Sequence, residues 1–248
     1  MTFNQSEYAV RFEWGLPGLQ QLAPISEIVI IVDVLSFSTA VDIAVANGAV
    51  ILPYPSRNES AESYAARRDA ELAAPLRTDG SFSLSPTSLL KIPKGHRLVI
   101  PSPNGAALAF HASGARVFTA CLRNSSAVTD LVARLGSTFA VIAAGERWPG
   151  EQLRPCLADL LGAGAVLAGL PGQKSPEAEA AIAAFRHFEQ NLQAALSGCS
   201  SGKELIERGF ACDVDLAAEF DASRSVPWLH DGAFLDRNAQ PTVAPASP

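Results

Sequence analysis

Four clusters of polar residues stand directly after short apolar runs of the chain, and their side chains are suited to binding ions. Three of them are short segments, Ser102-Pro103-Asn104-Gly105, Arg123-Asn124-Ser125-Ser126 and Gly145-Glu146-Arg147, and the fourth is the single residue Asp33. Carboxylates such as those of Asp33 and Glu146 are hard oxygen ligands, which Mg²⁺ takes while it keeps several waters. Arginine guanidinium groups make charge-assisted, often bidentate contacts with phosphate. The combination indicates a site for a divalent cation and a phosphate-like anion.

Two of these clusters open predicted helices, where free backbone N–H groups and the helix dipole favour an anion. Ser102 and Asn124 could equally be plain helix caps, because capping uses the same residue types as anion binding. Asp33 is more informative, since an unpaired carboxylate at the end of so apolar a strand is costly to bury. A metal ion, another cation or solvent exposure must therefore explain it.

Strand-like apolar runs alternate with helical segments in the first 144 residues. The pattern predicts strands at 27–33, 49–52, 97–101, 116–121 and 138–144. It predicts helices at 60–74, 105–112 and 125–135, and a further helix that begins at Ser36 or Ser38. Such alternation indicates βαβ units, so we expect an α/β fold with three α/β/α layers around a mostly parallel, or mixed, central sheet. Ligands bind at the carboxyl ends of the strands in such sheets, where the polar clusters lie.

The rest of the chain is predicted to be helical or irregular. Residues 75–93 are expected to form a long loop, and the later helices are predicted at 153–170, 176–196, 202–208 and 214–221. No change of composition marks a boundary, so we expect one α/β domain over residues 1–238. The segment 239–248 has no apolar periodicity and is predicted to be a disordered tail.

Composition narrows the classes of function. The chain has 248 residues, of which 48% are hydrophobic and 18% charged, as in a globular protein. Its 19 basic and 25 acidic residues give a net charge of -6 without a basic cluster, so we expect no nucleic-acid partner. No apolar run approaches the roughly 18 residues of a membrane span, and the polar N-terminal segment lacks a signal peptide. We therefore expect a cytoplasmic protein without a membrane partner.

Common catalytic motifs are absent from the sequence. There is no phosphate-binding G-x-x-x-x-G-K-[ST] loop, no G-x-G-x-x-G after a strand, no G-x-S-x-G elbow and no D-x-D pair at Asp33. The four cysteines form no C-x-x-C pair, which argues against a zinc site and a disulfide framework.

Several sequence elements occur in an order and spacing that resemble the 2-phosphosulfolactate phosphatases. These elements are Asp33-Val34-Leu35 with Ser38-Thr39, Ser102-Pro103-Asn104-Gly105, Asn124-Ser125-Ser126-Ala127-Val128, Ala144-Gly145, Asp159-Leu160-Leu161-Gly162-Ala163-Gly164, 202–205, Asp213-Val214 and Val226-Pro227. The resemblance covers residues 7–237. It implies a Mg²⁺-dependent α/β phosphatase that removes phosphate from 2-phosphosulfolactate, a step toward coenzyme M in methanogens.

The resemblance and the residue chemistry together assign candidate roles. Asp33, Glu146 and Asp159 are the candidate catalytic residues and Mg²⁺ ligands. The candidate phosphate- or substrate-binding residues are Ser36, Ser38, Ser102, Asn104, Gly105, Arg123, Asn124, Ser125, Arg147 and Arg154. The expected partner is a small anionic phosphorylated substrate, and a homodimer is expected from base rates alone.

Two questions stay open at this level. The nucleophile is either a metal-bound water or Asp33 itself, because both routes use the same residues. The family usually has Arg at the position of Ser36 and Glu at the position of Ala158. These departures support an alternative hypothesis, a non-catalytic anion-binding or regulatory homologue that has lost the metal.

Overall fold

In the computed structural model, which describes residues 2–56, 58–75, 80–112 and 114–239, strands and helices alternate as predicted through the first 144 residues. The predicted tail falls mainly on residues 240–248, which lie outside the described residues, as do residues 76–79 of the predicted loop. Among the described residues, no helix is both long enough and apolar enough to cross a lipid bilayer.

The strands are short, mostly of five residues or fewer. They are β1 (Val10–Trp14), β2 (Ile28–Val32), β3 (Val50–Tyr54), β4 (Glu71–Leu72), β5 (Arg97–Pro101), β6 (Arg116–Ala120), β7 (Phe139–Ala143), β8 (Glu146–Arg147), β9 (Leu153–Arg154), β10 (Pro227–His230) and β11 (Ala233–Asp236).

The α-helices connect these strands and make up most of the C-terminal third. They are α1 (Gly15–Leu22), α2 (Phe37–Ala46), α3 (Glu59–Arg67), α4 (Gly105–His111), α5 (Ser125–Val132), α6 (Leu157–Gly169), α7 (Pro176–Phe188), α8 (Leu192–Gly198), α9 (Ser200–Glu207) and α10 (Ala211–Ala218).

The central sheet is mixed and consists of two parallel blocks. Within the described residues, nine strands pair in the order β1-β7-β2-β6-β10-β11-β3-β5-β4. The first four are mutually parallel, and so are β3, β5 and β4. The antiparallel hairpin β10–β11 joins the blocks, so the second block runs opposite to the first. Helices cover both faces, which confirms the predicted three-layer α/β/α fold.

Strand β2 shows how the two helical layers form. All five of its residues are buried, as expected for a parallel strand that is covered on both faces. Alternate side chains point to opposite faces of a strand. Ile30 accordingly packs in one apolar core with residues of α5 to α10, and Ile31 packs in a second core with residues of α1, α2 and α4.

Tertiary pairing overrides local sequence preference at several predicted boundaries. The predicted helix 153–170 starts four residues later, because Leu153–Arg154 pairs with Glu146–Arg147 as a small antiparallel ribbon. The predicted helix 176–196 is interrupted at Glu189–Asn191 by a 3₁₀ turn. Strands β1, β4, β10 and β11 were not predicted, since short strands at sheet edges or in hairpins carry weak apolar patterns.

Helix α6 carries Asp159 and packs closely against α7 through Gly164. A Cβ atom at Gly164 would lie 2.2 Å from the carbonyl oxygen of Ala181 and 2.7 Å from Cβ of Phe185. Only glycine therefore allows the two helix backbones to approach this closely.

We expect Gly164→Ala to lower the free energy of unfolding by about 1–3 kcal/mol, because the added methyl group forces α6 and α7 apart. Gly198→Ala in α8 is the matched control, since no heavy atom lies within 4 Å of the added Cβ there. The control should leave stability unchanged or slightly raised. Guanidinium unfolding measures both variants, and equal stability of the two would contradict the packing role of Gly164.

Candidate active site

Asp33 lies at the carboxyl end of β2 and is nearly inaccessible to solvent, with 4% of its surface exposed. Its Oδ2 accepts a hydrogen bond of 2.7 Å from the backbone N–H of Gly105, and its Oδ1 accepts one of 3.3 Å from that of Phe37. Gly105 and Phe37 are the first residues of α4 and α2. Two helix N-termini therefore converge on this carboxyl group, which is a favourable place for negative charge.

The residue type at position 105 is set by this contact. A Cβ atom there would lie 2.7 Å from Oδ2 of Asp33 and 2.6 Å from the ring of Phe37. Gly105 follows β5, which belongs to the oppositely directed block, so a shared sheet edge does not explain its position. Helix α4 instead packs against β2 and α2 and brings its N-terminus to Asp33.

Asp159, in the first turn of α6, connects two loops. Its Oδ1 accepts a 2.7 Å hydrogen bond from the backbone N–H of Val34, after β2. Its Oδ2 accepts a 2.8 Å hydrogen bond from that of Gly145, after β7. Asp159 thus holds together the loops that carry Asp33 and Glu146.

Glu146 begins the ribbon β8–β9 and is partly buried. Its Oε2 accepts a 3.3 Å hydrogen bond from the side-chain amide of Asn104. Arg154 is its cross-strand neighbour in the ribbon, and the Arg154 guanidinium lies 3.4 Å from the hydroxyl of Ser201. Glu146 is therefore placed by three different segments of the chain.

The three carboxyl groups share a poorly solvated region, and this raises their pKa values. Burial is the main cause for Asp33, whose pKa lies well above the ordinary value, and the charges of Asp159 and Glu146 add to it. Burial likewise raises the pKa of Asp159 to about 7, against the effect of the Val34 hydrogen bond. Burial also raises the pKa of Glu146. A cation bound here would relieve the repulsion among them.

A cleft of about 130 Å³ opens above Asp33 and is referred to below as the Asp33 cleft. Its polar lining consists of Asp33, Ser36, Ser102, Asn104, Glu146, Ser201, Glu204 and Arg208. The last three belong to or follow α9 and were missed by residue-by-residue reasoning. The family-like element at 202–205 was the signal that could have identified this helix.

Ser38 was predicted to bind substrate, but the structure places it beneath the loop. It is fully buried, and its hydroxyl accepts a 2.8 Å hydrogen bond from the backbone N–H of Asp33. A second hydrogen bond of 2.7 Å joins this hydroxyl to that of Thr119. Ser38 therefore holds the backbone that presents Asp33 and does not line the cleft.

Arg123, Asn124 and Ser125 were also predicted to bind phosphate, and the structure does not bring them to the Asp33 cleft. The Arg123 Nε donates to Oδ2 of Asp42 at 3.0 Å, and its guanidinium also contacts Glu219. The Asn124 side chain caps its own turn by accepting from the N–H of Cys121.

The N-terminus of α5, which was predicted to bind a phosphate, binds a carboxylate of the same chain. Asp221 accepts hydrogen bonds of 2.9 Å from the hydroxyl of Ser125 and from the backbone N–H of Ser126. The capping interpretation therefore applies to this cluster.

Arg147 and Arg154 also lie outside the lining of the Asp33 cleft. Arg147 donates to the carbonyl oxygens of Pro103 at 2.8 Å and Glu151 at 3.1 Å. The Arg154 guanidinium lies 5.4 Å from the ring centre of Trp148. Of the predicted arginines, none lines the cleft, whereas Arg208 does.

The side chains at the cleft determine whether a Mg²⁺ ion can be bound there. No group of three or more His, Cys, Asp or Glu side chains among the described residues is arranged to hold a metal ion. Both oxygens of Asp33 and of Asp159 accept backbone hydrogen bonds, but Asp33 lines the cleft together with Glu146 whereas Asp159 does not. A Mg²⁺ ion commonly binds through one or two carboxylates and several waters, so Asp33 and Glu146 fit this ion.

The raised pKa of Asp159 predicts how stability depends on pH. Because the folded state binds this proton more tightly than the unfolded state, its contribution to stability is full below about pH 4 and is lost as pH rises through about 7. The loss is on the order of a few kcal/mol. Guanidinium unfolding in EDTA at pH 5 and pH 8 should show a smaller pH effect in Asp159→Asn than in the wild type. The control is Asp130→Asn, at an exposed position of α5, which should keep the wild-type pH effect on stability. An equal change of stability between pH 5 and pH 8 in all three proteins would contradict this prediction.

Comparison with known proteins agrees with the sequence resemblance. Residues 16–232 match the family described as 2-phosphosulpholactate phosphatase. A protein of Symbiobacterium thermophilum named probable 2-phosphosulfolactate phosphatase is 27% identical over 235 residues, which cover 89% of this chain and 98% of the relative. A protein of Thermotoga petrophila with the same name is 28% identical over 216 residues, which cover 83% of this chain and 90% of the relative. Since the family match spans most of its length, this chain belongs to the 2-phosphosulpholactate phosphatase family.

Proposed function

We propose that this protein is a Mg²⁺-dependent phosphomonoester hydrolase that acts on 2-phosphosulfolactate at the Asp33 cleft. The observation that carries the proposal is the position of the Asp33 carboxyl group. It is buried at two helix N-termini and still lines a cleft together with Glu146. The names of the two relatives support the choice of substrate.

The charge of the cleft supports the requirement for a cation. Its described lining has three carboxyl side chains, those of Asp33, Glu146 and Glu204, and one guanidinium group, that of Arg208. Arg208 is itself paired with Glu204 at 3.2 Å. A phosphate ester would meet net negative charge here unless a cation offsets it. Mg²⁺ held by Asp33 and Glu146 would supply that charge and would polarise the phosphoryl group.

The side chains at the cleft would then position the phosphate group and transfer protons. The side-chain amide of Asn104 and the guanidinium of Arg208 line the cleft and would be the hydrogen-bond donors for the oxygens of a phosphate group bound there. Burial raises the pKa of Asp33, so the carboxylate form of this residue is a stronger base than that of an exposed aspartate. Two routes use this group. It takes the proton of a water that attacks phosphorus and displaces the alcohol, or it attacks phosphorus itself, so that the bond to the alcohol oxygen breaks and water then hydrolyses the acyl phosphate.

The alternative of a non-catalytic anion-binding homologue is not favoured. Both relatives are named as probable phosphatases, and three acidic side chains line the cleft of this chain. Ser36 lines the cleft, so the departure at this position alters the surface that a substrate meets. Ala158 is fully buried in the apolar core, so its side chain does not reach the cleft.

We expect Asp33→Asn to lower kcat/KM for 2-phosphosulfolactate about a hundredfold or more, because the variant loses both a metal ligand and the reacting carboxyl group. Asp130→Asn makes the same chemical change on the exposed face of α5 and should keep wild-type activity. A phosphate-release assay compares them, with circular dichroism to show that each variant is folded. A folded Asp33→Asn variant with wild-type turnover would remove Asp33 from the mechanism.

Chelation should abolish turnover, and added Mg²⁺ should restore it. Glu146→Gln should need at least about tenfold more Mg²⁺ for half-maximal activity, because a neutral amide is a weaker ligand. Glu62→Gln, on the exposed face of α3, should titrate like the wild type. Calorimetric titration with Mg²⁺ alone gives the affinity independently of turnover. Full activity in excess EDTA would refute the metal requirement.

A further inference from the structure

A second, larger cavity lies on the other side of Asn104 and Glu146. It has a volume of about 420 Å³ and is referred to below as the side chamber. Pro103, Asn104 and Glu146 line both the side chamber and the Asp33 cleft, so the hydrogen bond between Asn104 and Glu146 lies at their shared wall. The Asp33 cleft and the side chamber are therefore adjacent.

The side chamber is mainly apolar. Its apolar lining includes Leu16, Pro17, Pro55, Ala107, Leu108 and Leu153. Arg147 is the one Lys or Arg in the described lining, and it already pairs with Oε2 of Glu151 at 3.4 Å and with the carbonyl oxygen of Pro103. His111 also lines the chamber, so a sulfonate or carboxylate placed there would lose hydration and would meet, besides the paired Arg147, only an imidazole as a cationic partner among the described lining residues.

Two leucines at the chamber are left partly in water. Leu16 and Leu153 are each 37% exposed. Leu153 is held against glycine backbone, since a Cβ atom at Gly145 would lie 2.7 Å from its Cδ1. Covering these side chains with an apolar group of a ligand would remove apolar surface from water, which is favourable.

We propose that the side chamber binds an apolar or aromatic arm of a phosphate monoester whose phosphate lies in the Asp33 cleft. The volume of the chamber is within the range of roughly 300–1,000 Å³ that small-molecule pockets span. The protein thus accepts a second class of substrate, phosphorylated 2-hydroxy acids with an apolar group at carbon 3. Hydrolysis of such esters rests on the proposed phosphatase function, whereas binding of the arm does not.

The binding test uses two phosphonates that are not hydrolysed and differ only by a phenyl ring. Benzylphosphonate should bind at least about tenfold more tightly than methylphosphonate in calorimetric titrations with Mg²⁺ present, because the ring buries apolar surface in the chamber. Equal affinities would overturn the proposal. The result is independent of turnover, so it separates a failure of this inference from a failure of the proposed phosphatase activity.

Ala107→Phe, on α4, places a ring in the chamber and should abolish the preference for benzylphosphonate while methylphosphonate binding changes less than threefold. Ala183→Phe, at an exposed position of α7, is the matched control and should keep the preference. If Ala107→Phe does not fold, Leu16→Trp at the same chamber replaces it with the same expected loss. A preference that survives filling of the chamber would overturn the assignment.

The substrate test compares 2-phospho-3-phenyllactate with 2-phospholactate. We expect at least tenfold higher kcat/KM for the phenyl ester in the wild type and a ratio near one in Ala107→Phe. A wild-type ratio near one would overturn the claim about the second substrate class. If neither ester nor 2-phosphosulfolactate is hydrolysed, the proposed phosphatase function is refuted. The affinities of the two phosphonates would still show whether the side chamber binds an apolar arm.

Discussion

The arrangement of the site depends on burying one carboxyl group, that of Asp33, at the end of a fully apolar strand. Removing a carboxylate from water is costly, and the structure offsets part of this cost with backbone N–H groups of Gly105 and Phe37. This solution requires two helices to begin within hydrogen-bond distance of β2. It also requires a residue without a side chain at position 105. The positions of α2 and α4, and the glycine between Asn104 and Ala106, follow from this one requirement.

The buried carboxyl group of Asp159 is held in the same way, by hydrogen bonds from the backbone N–H groups of Val34 and Gly145. Hydrogen bonds of this kind lower the pKa of a carboxyl group, yet the pKa values of Asp33 and Asp159 are raised. Burial and mutual repulsion therefore outweigh the donors, which are sufficient to position the carboxyl groups but not to neutralise them. The carboxyl groups are therefore held in position by hydrogen bonds within the chain. The repulsion that remains between them favours the binding of a positive charge.

The sequence was sufficient to predict the layers of the fold, and several of the residues that it singled out line the Asp33 cleft. An apolar run that ends in Asp33 indicates a buried strand with an ionisable end, and the residues after β5 and β7 reach the same place. The arginines were predicted less well, since sequence shows a cation but not the carboxylate that will pair with it. Arg123 binds Asp42, and the helix N-terminus beside it is occupied by Asp221, which is 95 residues away in sequence. Ser201 and Arg208 lie on a helical segment whose pattern does not indicate which sheet end it covers.

Among the described residues, no cluster of unpaired arginines is present at the Asp33 cleft to recognise an anion. Arg123 and Arg147 are each engaged by carboxylates or carbonyl oxygens of the same chain, and Arg208 shares its charge with Glu204. In the described lining of the cleft, acidic side chains outnumber basic ones. A phosphate group would meet net negative charge on this described surface, so the Mg²⁺ ion that we propose and the substrate are expected to depend on each other for affinity. The organic part of the ligand then makes its contacts beyond Asn104 and Glu146, where shape and apolar surface take the place of charge.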